Sequence, residues 1–147
     1  MNRIVSHVIA AGSAALVTYV VTAGSLDPPT WSARAQAPGQ RSTELFSQTM
    51  EDVLGRRFTV RLTERDPGNG SPAHRHPGSH TVGYILEGVY EVKIDNGPLR
   101  TLKAGEVFYE PPNALHAVSR NASATQPLKY LVIQVSDPAK PATVAEK

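Results

Sequence analysis

Between residues 42 and 136 the chain runs as short apolar or alternating stretches, broken at close intervals by turn-forming residues. Arg57-Phe58-Thr59-Val60-Arg61-Leu62-Thr63 alternates polar and apolar side chains, the period-two pattern of a half-buried strand. With its extension to Arg65 it is one of eight predicted strands; the others are Glu44–Met50, His80–Leu86, Val89–Ile94, Leu99–Leu102, Val107–Glu110, His116–Arg120 and Lys129–Val135. The breaks are Asp66-Pro67-Gly68-Asn69-Gly70, Glu87-Gly88, Asp95-Asn96-Gly97-Pro98 and Pro111-Pro112-Asn113, where glycine and asparagine admit left-handed backbone and proline presets a turn. Short strands joined by polar hairpins, with no internal repeat and no helix beyond a turn or two, predict an all-β fold of the jelly-roll barrel or sandwich type.

The flanks read differently. Residues 1–23 carry Arg3 ahead of an apolar stretch from Ile4 to Val21, the form of an export signal, with Val21-Thr22-Ala23 as the expected cleavage site. About 18 apolar residues also approach the ~20 needed to cross a bilayer, so an uncleaved N-terminal membrane anchor is the alternative. Either way the barrel is expected outside the membrane, periplasmic or extracellular. Residues 24–41 hold three prolines and no sustained periodicity and read as a linker, residues 42–136 as the barrel, and residues 137–147 as a loose tail.

Composition narrows the chemistry. One domain is the natural reading of 147 residues, and 40% hydrophobic with 19% charged content fits neither a disordered chain nor a multi-span membrane protein. The fifteen Lys and Arg are scattered, the formal charge is only +2, and no basic stripe with interleaved aromatics appears, which argues against nucleic acid as a partner. The absence of cysteine removes disulfides, thiol nucleophiles and zinc–thiolate sites, so any metal must sit on nitrogen and oxygen.

Four of the five histidines lie between residues 74 and 116, three of them in His74-Arg75-His76-Pro77-Gly78-Ser79-His80. In extended backbone His74 and His76 point to one face, their Cα atoms roughly 6.5 to 7 Å apart. Pro77 favours extended geometry at His76, and Pro77-Gly78 permits a bend that returns His80 towards the same centre. His116 starts another strand and could reach that centre from the facing wall. Such a set, without thiolate, suits one divalent transition metal: iron, manganese, nickel, copper or zinc, at about 2.0 to 2.2 Å. The bland alternative, histidines exposed on a strand surface, is weakened by the paired spacing and the matched downstream residue.

These residues resemble the cupins, in particular the small single-domain proteins of the conserved-barrel type. Of the family's first motif, G-x5-H-x-H-x(3 or 4)-E-x6-G, the chain has Gly68, His74, His76 and Gly88; of the second, G-x5-P-x-G-x2-H-x3-N, it has Gly105, Pro111 and His116. The resemblance implies a cupin jelly-roll barrel over about residues 44 to 135. Where the family has glutamate this chain has Ser79, His80 and Thr81; His80 fits the shorter spacing, and a bulge in that strand would reconcile it with the late Gly88. Asn113 stands for the motif glycine, and Asn121 falls one residue beyond the motif position and is assigned no role.

His80 is therefore expected as the fourth ligand, with a pocket-mouth histidine bonded to water or substrate as the alternative. Tyr84, on the face of His80, would line the pocket or pack in the core. Glu110, beside the pocket turn, is a candidate general base, against a solvated edge residue. The resemblance further implies a small-molecule substrate, a homodimer paired through edge strands, and a choice of metal chemistries of which dioxygenase-like is the first expectation. A non-catalytic periplasmic module that binds a ligand or metal is the second, and a structural partner of another exported protein the third.

Overall fold

The computed structural model describes residues 39–146. The leader, its cleavage site and all of the linker up to residue 38 lie outside the described residues. Among the described residues there is no helix, and hence none long and apolar enough to cross a membrane. Two antiparallel sheets form the barrel walls. The first holds, in spatial order, β1 (Gln40–Thr49), β2 (Arg57–Arg65), β10 (Leu128–Ser136), β5 (Ser79–Glu87) and β8 (Val107–Glu110). The second holds β11 (Val144–Ala145), β4 (His74–Arg75), β9 (Leu115–Asn121), β6 (Val89–Ile94) and β7 (Arg100–Lys103), with β3 (Gly70–Ser71) also on β9.

All eight predicted strands are present, and the fold is the all-β jelly roll that their spacing implied. Most strand ends shift by a residue, and the linker and the tail differ more. β1 begins at Gln40, inside the expected linker, because its register on β2 extends to Gln40 opposite Arg65. The expected loose tail is likewise corrected: Val144–Ala145 pair with Arg75 and His74, and Arg75 clamps the Glu146 carboxylate through Nε (2.9 Å) and Nη2 (3.2 Å).

The alternation in β2 is present with its faces reversed from a simple apolar-inward strand. Thr59, Thr63 and Arg65 are buried in the barrel, while Phe58, Val60 and Leu62 lie on the outer face. The same parity puts Leu131, Ile133 and Val135 of β10 and Tyr84 and Leu86 of β5 outside. The interior is thereby divided along its length. Its closed end is apolar, built on Ile85, Tyr90, Val92, Leu102, Phe108, Leu128 and Tyr130, with Tyr90 stacked on Tyr130 at 4.9 Å. The opposite, open end is lined by polar side chains.

Two details hold this arrangement. Arg65 is 3% exposed, and its charge is dispersed over Ser119 O (2.6 Å), Ser71 Oγ (2.7 Å), Ser119 Oγ (3.0 Å) and Tyr130 Oη (3.1 Å), so every nitrogen of the buried cation is hydrogen-bonded without a carboxylate. Gly83 faces the Phe108 ring so closely that a Cβ would overlap the ring. Gly83→Ala should therefore force the aromatic out of the core and cost about 3 kcal/mol, read as a lower midpoint in urea with an unchanged slope; a midpoint equal to the parent's would show that the ring yields freely.

Candidate metal centre

The site forms where β4 meets β9. His74 is directly opposite His116 in the antiparallel ladder, and His76 follows just past the end of β4. One imidazole nitrogen from each of His74, His76 and His116 lies within 4.8 Å of the others. Ring centroids are 5.0 Å apart for His74 and His76 and 4.9 Å for His74 and His116. A bulge in β9 aims the third ring. Register with β6 slips between Lys93 and Ile94, so that His116 and Ser119, three residues apart, both point inward. The extra residue also accounts for Asn121 standing one place late. Asn121 is 1% exposed and closes the far end, donating from Nδ2 to Gln126 O (2.8 Å) and Asp66 O (3.1 Å). Asn113 takes φ 64°, the left-handed geometry expected where glycine is usual.

Hydrogen bonds leave each ring with a nitrogen to spare. His74 Nδ1 donates to Pro72 O (2.8 Å) and His76 Nδ1 to Ala142 O (2.7 Å), which keeps both Nε2 lone pairs open. His116 is 3% exposed and its Nε2 lies 3.3 Å from Tyr90 Oη, which in turn meets Ser119 Oγ at 2.6 Å. A donor order from His116 Nε2–H to Tyr90 and from Tyr90 O–H to Ser119 satisfies this chain and leaves the His116 Nδ1 lone pair unshared. Burial lifts the Tyr90 phenol well above its usual 10, so it keeps its proton. Burial, above all, lowers His74 below 6.5, with the neighbouring His116 and His76 adding to the effect and the Pro72 carbonyl opposing it; at neutral pH the ring is uncharged, the state a metal ligand needs.

Glu110 completes the cluster. It is 2% exposed, with Oε1 3.0 Å from His116 Nδ1 and Oε2 3.9 Å from His76 Nε2. His116 Nδ1 and Glu110 Oε2 are both buried without a hydrogen-bond partner. Two orphaned, electron-rich atoms among three imidazoles are costly unless a cation meets them. The donor set thus fits a divalent transition metal.

The sequence expectations for His80 and Tyr84 are corrected. The turn at Pro77-Gly78 does fold the chain back, with Ser79 N bonded to His76 O, yet it hands Ser79 and Thr81 to the interior. His80 is therefore on the outer face, where its Nδ1 meets Tyr109 Oη at 2.7 Å, and Tyr84 is outside as well, 39% exposed. A bulge does occur in β5, at Leu86, too far along to change the phase at His80. Of the three residues at the family's glutamate position, Thr81 is the inward one with the right spacing to Gly88; its partner across the ladder is Glu110. The sequence offered Glu110 as a candidate general base, against a solvated edge residue, and the structure buries it beside the triad. Its parity with the apolar Phe108 was the available sign that it points inward. Ala142, which orients His76, carried no sequence signal, since a backbone carbonyl has no residue type.

The molecule is a two-walled antiparallel jelly roll with three imidazoles placed where they could hold a metal ion. Residues 61–134, half of the chain, match the family described as Cupin domain, and the chain belongs to that family. A conserved protein with a double-stranded β-helix domain from Klebsiella pneumoniae superposes with a TM-score of 0.59 at 20% identity, covering 78% of this chain and 90% of its own. TT1209 from Thermus thermophilus gives 0.57 at 29% identity over 72% of this chain and 91% of that one. Oxalate oxidase in complex with glycolate gives 0.56 at 24% identity over 76% of this chain, which spans 57% of the oxidase. No curated protein matches the chain.

Proposed function

We propose that this protein is an exported metalloenzyme of dioxygenase-like type, holding one divalent transition metal on His74, His76 and His116 with Glu110 as the carboxylate ligand and acting on a small organic substrate. The observation that carries the reading is the pair of buried, unpartnered atoms, His116 Nδ1 and Glu110 Oε2, at the heart of the imidazole cluster. Bound there, the metal would supply Lewis-acid or redox chemistry. The chain's own residues hold their lone pairs in place through Pro72, Ala142 and Tyr90, and the barrel walls keep bulk water from the His116 side. Export is read from the leader alone.

One observation favours a second reading. Among the described residues Glu110 is the carboxylate that contacts the triad, and as a ligand it is not available as a separate base. A barrel that binds a chelating molecule without turning it over would look the same.

The test has two parts. Protein purified without a metal-affinity tag should carry close to one metal per chain, and Glu110→Gln should weaken metal binding by about 10-fold or more, measured by competition with a chromogenic chelator. Oxygen uptake is then followed over catechols, flavonols and β-diketones. Uptake with one of them supports the enzyme; tight binding of a chelating compound with no uptake under any metal supports the binding module.

A further inference from the structure

Next to the histidine cluster, on the first sheet's side of the open end, is a separate cavity of about 120 Å³ beneath the C-terminal segment. Its charged lining is Arg57, Arg61 and Lys140 against Glu44 and Asp137, a surplus of one positive charge. Both acids are already engaged: Glu44 meets Arg61 at 3.4 Å, and Asp137 Oδ1 accepts the Ala139 amide of its own turn at 2.9 Å. Among the described residues neither Arg57 nor Lys140 takes part in an ion pair. The Lys140 stem lies over Gly78, where an added Cβ would meet its Cδ at 2.7 Å, so the ammonium is carried along the cavity rim.

At the floor is a second and independent sign. Ser79 is 2% exposed, lines the cavity, and its Oγ has no hydrogen-bond partner. A buried hydroxyl without a partner costs free energy that an incoming acceptor would recover. The cavity shares a wall with the metal centre, because Pro77 follows His76 and Ala142 accepts the His76 Nδ1 proton, and both residues line it.

We propose that this cavity binds the carboxylate of a small organic acid, with Arg57 and Lys140 as counter-charges and the Ser79 hydroxyl donating to one carboxylate oxygen. A surplus of one charge matches a monoanion better than a dianionic phosphate. The volume admits a carboxyl group and a short chain. The cavity itself needs no metal, and the inference stands apart from the metal reading.

Calorimetric titration of the full chain with butyrate, beside inorganic phosphate, tests it on metal-free and zinc-loaded protein, with metal content measured separately. Butyrate should bind one per chain, and Arg57→Gln and Lys140→Gln, both on exposed residues, should each weaken it at least about fivefold, with Ser79→Ala about threefold; metal content should stay that of the parent. Butyrate affinity equal to the parent's in both charge variants overturns the proposal, as does the absence of butyrate binding to the parent. Tighter binding of phosphate overturns the carboxylate class. Butyrate binding by a protein that takes up no zinc would leave the cavity standing while the metal reading falls.

Discussion

With His116 replaced by alanine, the protein should leave purification without metal, its affinity reduced by more than about 100-fold, beyond what the loss of an orienting partner alone costs. The reason is the division of labour between strands. His74 and His76 belong to one short segment, and β9 contributes the single imidazole that faces them. Without it the two remaining rings share one side of the site, and the buried orphan nitrogen that makes the centre is gone. The barrel should survive. His116 lies outside the apolar cluster, and Tyr90 retains its 2.6 Å contact with Ser119, so the metal-free form should lose about 2 kcal/mol or less. Elemental analysis and a thermal melt of the same sample read both quantities. A variant that still carries a full equivalent of metal would remove the centre proposed above.

Ending the chain after Ser136 should produce the second large effect, a metal affinity lowered by about 10- to 100-fold with the eight long strands intact. Residues 137–146 touch the site from outside. Ala142 O accepts from His76 Nδ1 at 2.7 Å, Thr143 Oγ1 lies 3.3 Å from the same nitrogen, and β11 pairs with β4, which bears His74. Removing them frees His76 to change tautomer and rotamer, so the ion must also pay for ordering it. Restoring the segment with Glu146→Ala, which removes the clasp to Arg75 and leaves the backbone bond to Ala73 in place, should give an intermediate value. Equal affinity in the full and shortened chains would show that the carbonyl contact plays no part.

Much of this architecture could be read from periodicity, and the misreadings share one cause. Alternation along β2 revealed a strand, but a period of two fixes only which side chains go together, not which set faces inward; Thr59, Thr63 and Arg65 took the interior. For His80 the spacing after His76 suggested a ligand, and parity overruled it, since Thr81 is the residue laddered to Glu110. His74, His76 and His116 were legible because two share a face on one extended segment and the third heads a strand. The bulge that turns His116 inward, and so displaces Asn121 by one, has no marker in the residue types around Ala117. Long-range pairing is the least visible of all: nothing near Val144 announces a partner at Arg75, sixty-nine positions earlier.

That last pairing bears on how the molecule comes into being. Synthesis delivers His74 and His76 first, and the carbonyl of Ala142 that settles one of them follows 66 residues after His76. A nascent polypeptide still threaded through the ribosome, or one crossing a membrane amino end first, holds its imidazoles without their final acceptor. Ion capture at full affinity is therefore expected only once residues 137–146 have been made and have paired with β4, after the last of the long strands.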